Sequence, residues 1–315
     1  MPDHRPPALL SRYLQDTSMR YFLEVVRTGS IAEASQRLNV AGSAISRHIT
    51  QLEERLNVSL FERRPRGMVL SAAGELLANY AIKLAHDSER VAHDIQALQG
   101  LQRGRVRVAT SEGFGMEFLP QLIATFQQGN PGVQFNLDVL APAEVSRRVL
   151  QSDADIGLTF TLSVEKDICV ELVRPAPIYA VMRKGHPLAA QKRISVSQMA
   201  AWPLALPAPD TTVRQLFDIV CSRKRVAISP ALTSNYITGL FGFLRDHDGV
   251  TIASQISIRN QVARGELAAV ALRDQGFAMR NLEVQTLAGR ELPRAAQAFL
   301  KDLIGELSNE TLSLP

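Results

Sequence analysis

Residues 29–49 read GSIAEASQRLNVAGSAISRHI, and this stretch predicts two short helices joined by a tight turn. Gly29 ends a preceding helix over residues 18–28, and Ser30 opens the next one. Ser30 and Glu33 have the spacing of a capping box, in which the glutamate side chain reaches back to the serine backbone amide. The buried side of this second helix is predicted from apolar residues at helical spacing: Ile31, Ala34 and Leu38. The pattern is typical of a helix-turn-helix.

The helix after the turn has two different faces. Its buried stripe is apolar: Ile45, Ile49, Leu52 and Leu56. The opposite face has short polar groups and one cation near the helix N-terminus: Ser43, Ser46, Arg47 and Thr50. Short side chains allow close approach to a major groove, and arginine bonds a guanine edge or a phosphate. A solvated face is the alternative, but the preceding turn and short helix favour DNA recognition, with Ser30 as a further contact.

A basic hairpin is predicted directly after this third helix. Residues 58–61 and 68–70 have the composition of short strands, and the sequence ERRPRG separates them. Arg63, Arg64 and Arg66 place three cations in the turn, where they suit the phosphate backbone of DNA. A solvated turn is the alternative. The position of the hairpin favours the phosphate interpretation and predicts a winged helix-turn-helix over residues 18–71.

A long helix is predicted over residues 72–99, with Ser71 as its cap. Apolar residues recur at heptad spacing and predict a seam for a second copy of the chain: Leu77, Leu84, Val91 and Ile95. Burial of this stripe in the core of the same chain is the alternative, but the sequence has no matching helix nearby. The helix is therefore interpreted as a dimerising linker, followed by a hinge over residues 100–104.

The chain from residue 105 onward alternates strands and helices. Strands are predicted over residues 105–109, 133–140 and 156–160, with helices between them, and a second series begins at residues 179–183. Such βαβ series favour mostly parallel sheets. The fold class is therefore α/β overall, with a mainly α winged helix-turn-helix and a long linker helix before the α/β part.

Length and composition suit two or three domains. The chain has 315 residues, of which 46 % are hydrophobic, and a net charge of +4 that by itself indicates no nucleic-acid partner. No apolar run is long enough to span a membrane, and the start lacks the apolar core of a secretory signal. We therefore expect a cytoplasmic protein without a membrane partner. Residues 1–17 are expected to form a disordered tail.

The sequence lacks the common signatures of catalysis and of metal or cofactor binding. It has no GxSxG, P-loop, GxGxxG or HExxH pattern, so we expect no enzyme. No cysteine or histidine pair has metal-ligand spacing, so no metal and no cofactor are expected. A redox sensor is an alternative, but Cys169 and Cys221 are expected in different lobes. A secreted solute-binding protein is disfavoured by the missing signal peptide and the DNA-binding head.

From about Met19 to Leu307 the sequence resembles the LysR-type transcriptional regulators. The resemblance is carried most densely by RYFL at 20–23, GSIAEASQRL at 29–38, AISRHI at 44–49, LE at 52–53, LFER at 60–63 and LSAAGE at 70–75. Weaker marks are ADIGL at 154–158, GHPL at 185–188 and RGEL at 264–267. Where the family often has Ser then Gln, this chain has Ala41 and Gly42, so the cap of the third helix is weaker and one DNA-contacting side chain is missing.

The resemblance implies a sequence-specific DNA-binding transcriptional regulator controlled by a small molecule. It implies an effector domain over residues 105–315 like a periplasmic solute-binding protein, with lobes at 105–177 plus 275–315 and at 178–274. The implied partners are double-stranded DNA at a promoter or operator, a small-molecule effector, and RNA polymerase if the regulator is an activator. The implied assembly is a homodimer or homotetramer.

The effector is expected in a crevice between the lobes, beyond the carboxyl ends of strands. The predicted contacts are hydroxyls and neighbours that follow strands, together with positions implied by the family: Thr110, Ser111, Glu112, Phe160, Thr161, Pro207, Thr211, Thr212 and Asn235. Plain helix caps are the alternative for Thr211 and Thr212. Because Glu112 would repel an anion, our hypothesis is an effector with an amine and a carboxylate, such as an amino acid. The alternative is a neutral or anionic organic acid, with Glu112 facing solvent near a helix N-terminus.

Overall fold

The computed structural model describes residues 14, 16–64, 67–98, 104–162, 165–277 and 279–309. The chain divides into two compact units. The first extends to residue 103 and includes Arg290–Arg294, and the second comprises Gly104–Gly289 and the chain from residue 295 onward. The predicted disordered tail lies almost entirely outside the described residues, and so does most of the predicted hinge. No described helix is both long enough and apolar enough to cross a membrane.

From Thr17 onward, the first unit forms the helices α1 (Thr17–Thr28), α2 (Ile31–Leu38) and α3 (Gly42–Leu56). Gly29 has a φ of 66° and its N–H donates to the carbonyl of Val25, so it ends α1 as the sequence predicted. The Ser30 hydroxyl accepts the N–H of Glu33 at 3.4 Å, but the return bond from the Glu33 side chain is not formed. The predicted capping box is therefore only half correct, since the Ser30 N–H donates to the hydroxyl of Thr28 at 3.3 Å instead.

A two-stranded hairpin follows α3, with β1 at Phe61–Arg64 and β2 at Gly67–Leu70 in antiparallel register. The strand was predicted to begin at Val58 and begins later because a side chain of α3 takes its first amides. One carboxylate oxygen of Glu53 accepts the N–H of Leu60 at 2.7 Å and of Phe61 at 3.3 Å. Glu53 thereby fixes the start of the hairpin against α3.

The long helix α4 runs over Ala72–Leu98. The Ser71 hydroxyl accepts the N–H of Gly74 at 3.0 Å, as expected for a cap. The N-terminal half of α4 closes the core of this unit with small side chains: Ala78, Ala81 and Ala85 pack in one buried cluster with Phe22, Val25, Ile45, Ile49 and Leu60. Alanine allows this helix to lie close to α1 without distorting either backbone.

The second unit has two lobes, and the first is built on a five-stranded sheet. Its elements are β3 (Gly104–Ser111), α5 (Glu112–Gly115), α6 (Phe118–Gly129), β4 (Val133–Leu140), α7 (Pro142–Leu150), β5 (Ile156–Thr161), β6 (Ile168–Pro175), β13 (Asn281–Leu287) and α12 (Arg294–Asn309). The strand order is β4-β3-β5-β13-β6. A carboxylate oxygen of Asp155 accepts the backbone N–H of Arg107 at 2.9 Å, and the carboxylate pairs with the Arg107 guanidinium at 2.8 Å. This pair ties β3 to the start of β5.

The second lobe lies between the first lobe's β6 and β13 in the chain. Its elements are β7 (Ile178–Arg183), β8 (Arg193–Ile194), α8 (Val196–Met199), β9 (Ala205–Pro207), α9 (Thr212–Lys224), β10 (Leu232–Ser234), α10 (Ile237–Asp246), β11 (Thr251–Ser254), α11 (Gln255–Ala263) and β12 (Leu267–Leu272). The main sheet has the order β11-β7-β12-β8, and β9 pairs with β10 separately. The predicted α/β class is confirmed.

The expectation of mostly parallel sheets is only partly correct. In the first lobe β3 pairs in parallel with β4 and β5, but β13 is antiparallel to both β5 and β6. In the second lobe β7 is antiparallel to β11 and β12. The antiparallel strands are the two that follow a passage between the lobes: β7 is the first strand of the second lobe, and β13 is the strand that returns to the first.

Candidate functional site

The predicted recognition face lies along the N-terminal half of α3. Ser43, Arg47 and Thr50 are exposed and Ser46 is half-buried, whereas Ile45 and Ile49 are buried on the other side. The guanidinium of Arg47 has no hydrogen bond or ion pair to any residue that the structure describes. Its guanidinium is therefore available to an external acceptor, and a base edge or a phosphate is such an acceptor.

The N-terminus of α3, next to the recognition face, lacks a side-chain cap. Ala41 precedes α3 and offers no side-chain hydrogen bond to it, as predicted. Its first amide groups therefore remain free of a side-chain partner, and such groups at a helix N-terminus suit a phosphate. Ser30 is half-buried and its hydroxyl caps α2, so any contact with DNA would be additional to that structural bond.

The hairpin positions two of the three predicted phosphate-binding arginines. Arg63 and Arg64 lie in β1, opposite Met68 and Gly67, and not in the turn where the sequence analysis placed them. The reason is the late start of β1, which moves these residues into the paired strand. Arg66 and its neighbour Pro65 lie outside the described residues. Phosphate binding by these arginines stays a prediction.

The predicted dimer seam faces away from the core of the first unit only in part. Leu77 and Leu84 are half-buried, and Leu77 packs against the core cluster. Val91 and Ile95 are 37 % and 44 % exposed. Two further large side chains on α4, which the sequence analysis missed, are more exposed: Leu76 at 75 % and Tyr80 at 55 %.

These residues share one side of α4. At about 100° per residue, Leu76, Tyr80, Leu84, Val91 and Ile95 fall within an arc of roughly 100°, next to the buried alanine stripe. We call these five residues the α4 stripe. An exposed apolar row of this length on a single helix is the pattern expected for a surface that binds another helix.

The candidate ligand site is a cavity of about 660 Å³ between the two lobes of the second unit. Most predicted effector contacts line it: Ser111, Glu112, Phe160, Pro207, Thr211, Thr212 and Asn235. Two do not. Thr110 is fully buried and its hydroxyl donates to the carbonyl of Leu158 at 3.0 Å, and Thr161 lies in β5 opposite Asn281, outside the lining.

Two of the predicted hydroxyl contacts in the cavity wall, Ser111 and Thr211, already have partners within the protein. Ser111 and Thr159 share a hydrogen bond of 2.8 Å. The Thr211 hydroxyl donates to the carbonyl of Ala208 at 2.8 Å and accepts the N–H of Arg214 at 3.4 Å, so it is the helix cap considered as the alternative. Of the two threonines at the start of α9, Thr211 caps the helix and Thr212 does not.

Glu112 is half-buried and reaches from the first lobe to the second. Its Oε1 accepts the N–H of Ile237 at 2.7 Å, so a carboxylate of the first lobe caps the N-terminus of α10 in the second. Burial raises the pKa of Glu112, and the bond from Ile237 opposes this rise. The alternative placed Glu112 in solvent, whereas in the structure its carboxylate also has a hydrogen-bond partner in the second lobe.

A second carboxylate also joins the lobes. Glu117 accepts hydrogen bonds from Asn260 and, at 3.2 Å, from Gln261, and it lies 3.6 Å from the guanidinium of Arg264. All three partners belong to α11 or follow it directly. Glu112, at the start of α5, and Glu117, directly before α6, thus both bind the second lobe from the first.

Sequence reasoning missed the most unusual residue of the cavity. Arg280 is only 2 % exposed and lines the cavity beside Phe160, whose ring centre lies 4.0 Å from the guanidinium carbon. A lone arginine before a predicted strand gives no periodic or motif signal. Only the return of the chain from the second lobe places it at the cleft, where the backbone carbonyl of Arg280 accepts the N–H of Ala176 at 2.9 Å.

The two cysteines do not form a redox pair. Cys169 is exposed on β6 in the first lobe, and Cys221 is buried on α9 in the second. Burial raises the pKa of the Cys221 thiol to about 11, so this group is protonated at neutral pH. A protonated, buried thiol is a poor nucleophile and a poor redox sensor.

Family models match both units of the chain. The bacterial regulatory helix-turn-helix protein model of the lysR family matches residues 17–75. The LysR substrate binding domain model matches residues 99–308, which is about two thirds of the chain. The two matches contain the recognition face and the interlobe cavity, respectively.

Known proteins of similar length and fold agree with these models. The RuBisCO operon transcriptional regulator of Allochromatium vinosum is 25 % identical over 289 residues, which cover 91 % of this chain and 95 % of that protein. A full-length OxyR variant from Pseudomonas aeruginosa has a TM-score of 0.69 at 17 % identity, covering 99 % of this chain and all of the other. The CcmR regulatory domain of Synechocystis in complex with 2-PG has a TM-score of 0.56 at 22 % identity, covering 66 % of this chain and 99 % of that domain. The chain therefore belongs to the LysR family of bacterial helix-turn-helix regulators.

Proposed function

We propose that this protein is a transcriptional regulator that binds a specific DNA site through α3 and the β1–β2 hairpin, under the control of a small molecule in the interlobe cavity. One observation carries the proposal: a single chain combines an exposed recognition face around Arg47 with a ligand-sized cavity of about 660 Å³. The α4 helix and the hinge over residues 100–104 would connect the two activities. RNA polymerase is a further partner if the regulator is an activator.

The relatives support this proposal in its general form. The relative from Allochromatium vinosum is named as a transcriptional regulator, and the CcmR regulatory domain holds a small molecule within the same fold. Neither name fixes the target gene or ligand of this chain. We propose no catalytic role for the cavity and place the protein in the cytoplasm, where it would meet its operator.

A footprint on DNA tests the central claim. The purified full-length chain is titrated onto the DNA upstream of its own gene, with an unrelated fragment of the same length as control. We expect protection of a discrete, partly palindromic site at concentrations at which the control fragment is unprotected, because specific binding exceeds nonspecific binding by about 10³-fold or more. Equal protection of both fragments would contradict the proposal that the protein recognises a specific DNA site.

The hairpin arginines are expected to contribute affinity without selectivity. For Arg63→Ala or Arg64→Ala, the plot of log Kobs against log salt concentration should lose about one unit of slope per phosphate contact removed from the complex. The loss of affinity should be similar for specific and unrelated DNA. Filter binding between low and moderate salt measures both quantities.

Arg223→Ala provides the control for this salt series. Arg223 is exposed on α9 in the second unit, and its removal changes the net charge by the same amount. We expect it to leave the slope unchanged. If the hairpin variants keep the wild-type slope as well, the hairpin does not contact phosphate.

The α4 stripe is proposed as the dimer interface, on which a homotetramer could also be built. Leu84→Glu would place a charge in the middle of this row, where a paired helix would bury it without a partner. We expect smaller particles by light scattering and loss of the footprint. Asn79→Glu is the control that adds the same charge, because Asn79 is exposed on α4 outside the arc of the stripe. If both variants form particles of the same size as the wild type, the α4 stripe is not the interface.

A further inference from the structure

Arg280 occupies a position that ordinarily requires a partner. Its side chain is buried, and its Nη2 has no hydrogen-bond acceptor among the described residues. Within that same set, the acceptor near the guanidinium is the carbonyl of Ala176, at 3.4 Å from Nε. A buried cation without a counter-charge destabilises the fold, so such groups are almost always paired with an anion.

The described part of the protein supplies no such anion to Arg280. Burial alone lowers the pKa of its guanidinium to about 9, and no carboxylate counteracts this effect. Both acidic side chains that join the lobes have other partners: Glu112 binds the N–H of Ile237, and Glu117 binds α11. The guanidinium nevertheless remains charged at neutral pH, because its pKa lies above 7.

The surroundings of Arg280 place its guanidinium over an aromatic ring. Its carbon lies 4.0 Å from the centre of the Phe160 ring, and Phe160 stacks on Phe114 with ring centres 4.5 Å apart. Phe160 and Arg280 both line the cavity. An arginine stacked on an aromatic face keeps its N–H edge directed sideways, which suits a planar acceptor with two oxygens.

We propose that Arg280 is the anion receptor of the cavity and that the effector is a small organic acid whose acidic group bonds to the free edge of this guanidinium. The inference rests on the proposed function and specifies the effector class. A carboxylate fits the fork of the guanidinium with two parallel bonds, and a phosphate offers the same acceptor chemistry. The remainder of the molecule would lie against the apolar wall formed by Met116, Val139 and Leu240.

The place of Arg280 also links the anion to the closure of the lobes. Arg280 lies on the segment by which the chain returns from β12 to β13, and its carbonyl is hydrogen-bonded to Ala176 on the other crossing segment, between β6 and β7. An anion held by Arg280 would therefore lie next to the two segments that cross between the lobes. Its binding would favour one lobe arrangement over another through contacts made only in that arrangement.

The test uses acetate as the simplest carboxylate and acetamide as its neutral counterpart. Thermal unfolding of the full-length wild type is followed at pH 7 by tryptophan fluorescence, since the single tryptophan, Trp202, lies in the second unit. At constant ionic strength, we expect acetate at about ten times its Kd to raise Tm by roughly 3–6 °C, and acetamide to have no such effect. Equal effects of acetate and acetamide on the wild type would overturn the proposal.

Three variants show whether Arg280 is responsible. Arg280→Met keeps the length of the side chain and removes its charge, so the acetate effect should vanish. Arg280→Lys keeps the charge but not the planar fork, so the effect should persist at reduced size. Arg223→Met is the control for loss of an exposed positive charge and should respond like the wild type. An undiminished acetate effect in folded Arg280→Met would also overturn the proposal.

Further probes separate the possible acidic groups. Inorganic phosphate replaces acetate in a parallel series, and a larger shift at lower concentration would identify a phosphate-bearing effector. Glycine and acetate are then compared in the wild type and in Glu112→Gln; a preference for glycine that depends on Glu112 would assign an amino acid, and its absence a simple acid. These shifts are measured without DNA, so a failed footprint and a failed anion site are separate results.

Discussion

Gly74→Ala is expected to unfold the winged helix-turn-helix at a much lower denaturant concentration than the wild type. Gly74 lies in the first turn of α4, where a methyl group would stand 2.0 Å from the carbonyl oxygen of Leu60 and 2.9 Å from a methyl group of Leu70. The first of these is a backbone atom, so rotation of a side chain cannot relieve the overlap. The helix would have to move away from the hairpin, which we expect to cost about 3 kcal/mol of the free energy of unfolding.

Two signals separate this loss from a general effect on the chain. Circular dichroism reports both units, whereas fluorescence of Trp202 reports the second unit. In a urea titration of Gly74→Ala, we expect an early transition by circular dichroism and an unchanged fluorescence transition. A shift of both transitions by the same amount would contradict the local explanation.

Gly42→Ala is the matched control, since Gly42 also lies in the first turn of a helix of the same unit. A methyl group there would meet Ile31 at 3.6 Å and Ser35 at 3.9 Å, which are ordinary contacts. Alanine is also the better helix former. We expect the stability of this variant to stay within about 0.5 kcal/mol of the wild type.

Local patterns predicted most of the first unit because its contacts are close in sequence. The C-terminal end of α1 follows from Gly29, and the buried stripe of α3 follows from the spacing of Ile45 and Ile49. The start of β1 could not be predicted, since it depends on a carboxylate of Glu53 that binds amides seven and eight residues further on. The strand propensities of Val58 and Ser59 contain no information about these hydrogen bonds.

The sequence predicted where the cleft lies but not which charged groups line it or what they bind. Predicted strands that end near Thr110 and Leu206 indicate a crevice, because polar loops beyond parallel strands meet there. The partner of Glu112 is 125 residues away and that of Arg280 is 104 residues away. Both pairings depend on how the second lobe closes and on the antiparallel return of β13, which the expectation of mostly parallel sheets did not include.

Arg47→Ala is expected to weaken binding to the specific site. The loss in each half-site should be the free energy of one base contact, about 1–3 kcal/mol. A symmetric dimer presents two copies of α3, so the loss counts twice in the complete complex. Binding to unrelated DNA should change far less, because it depends mainly on phosphate contacts. Competition gel shifts with the footprinted site and with scrambled DNA measure this ratio for wild type and variant.

Arg55→Ala distinguishes a base contact from the general loss of a cation. Arg55 is also exposed on α3 but lies in its last turn, whereas helices of this type reach bases with their N-terminal residues. We expect Arg55→Ala to keep the wild-type preference for the specific site, even if its overall affinity falls slightly. Because both arginines carry the same charge on the same helix, a difference between the two variants measures position alone. Equal selectivity in Arg47→Ala, Arg55→Ala and the wild type would mean that the N-terminal half of α3 does not read the bases and that another surface of the first unit selects the operator.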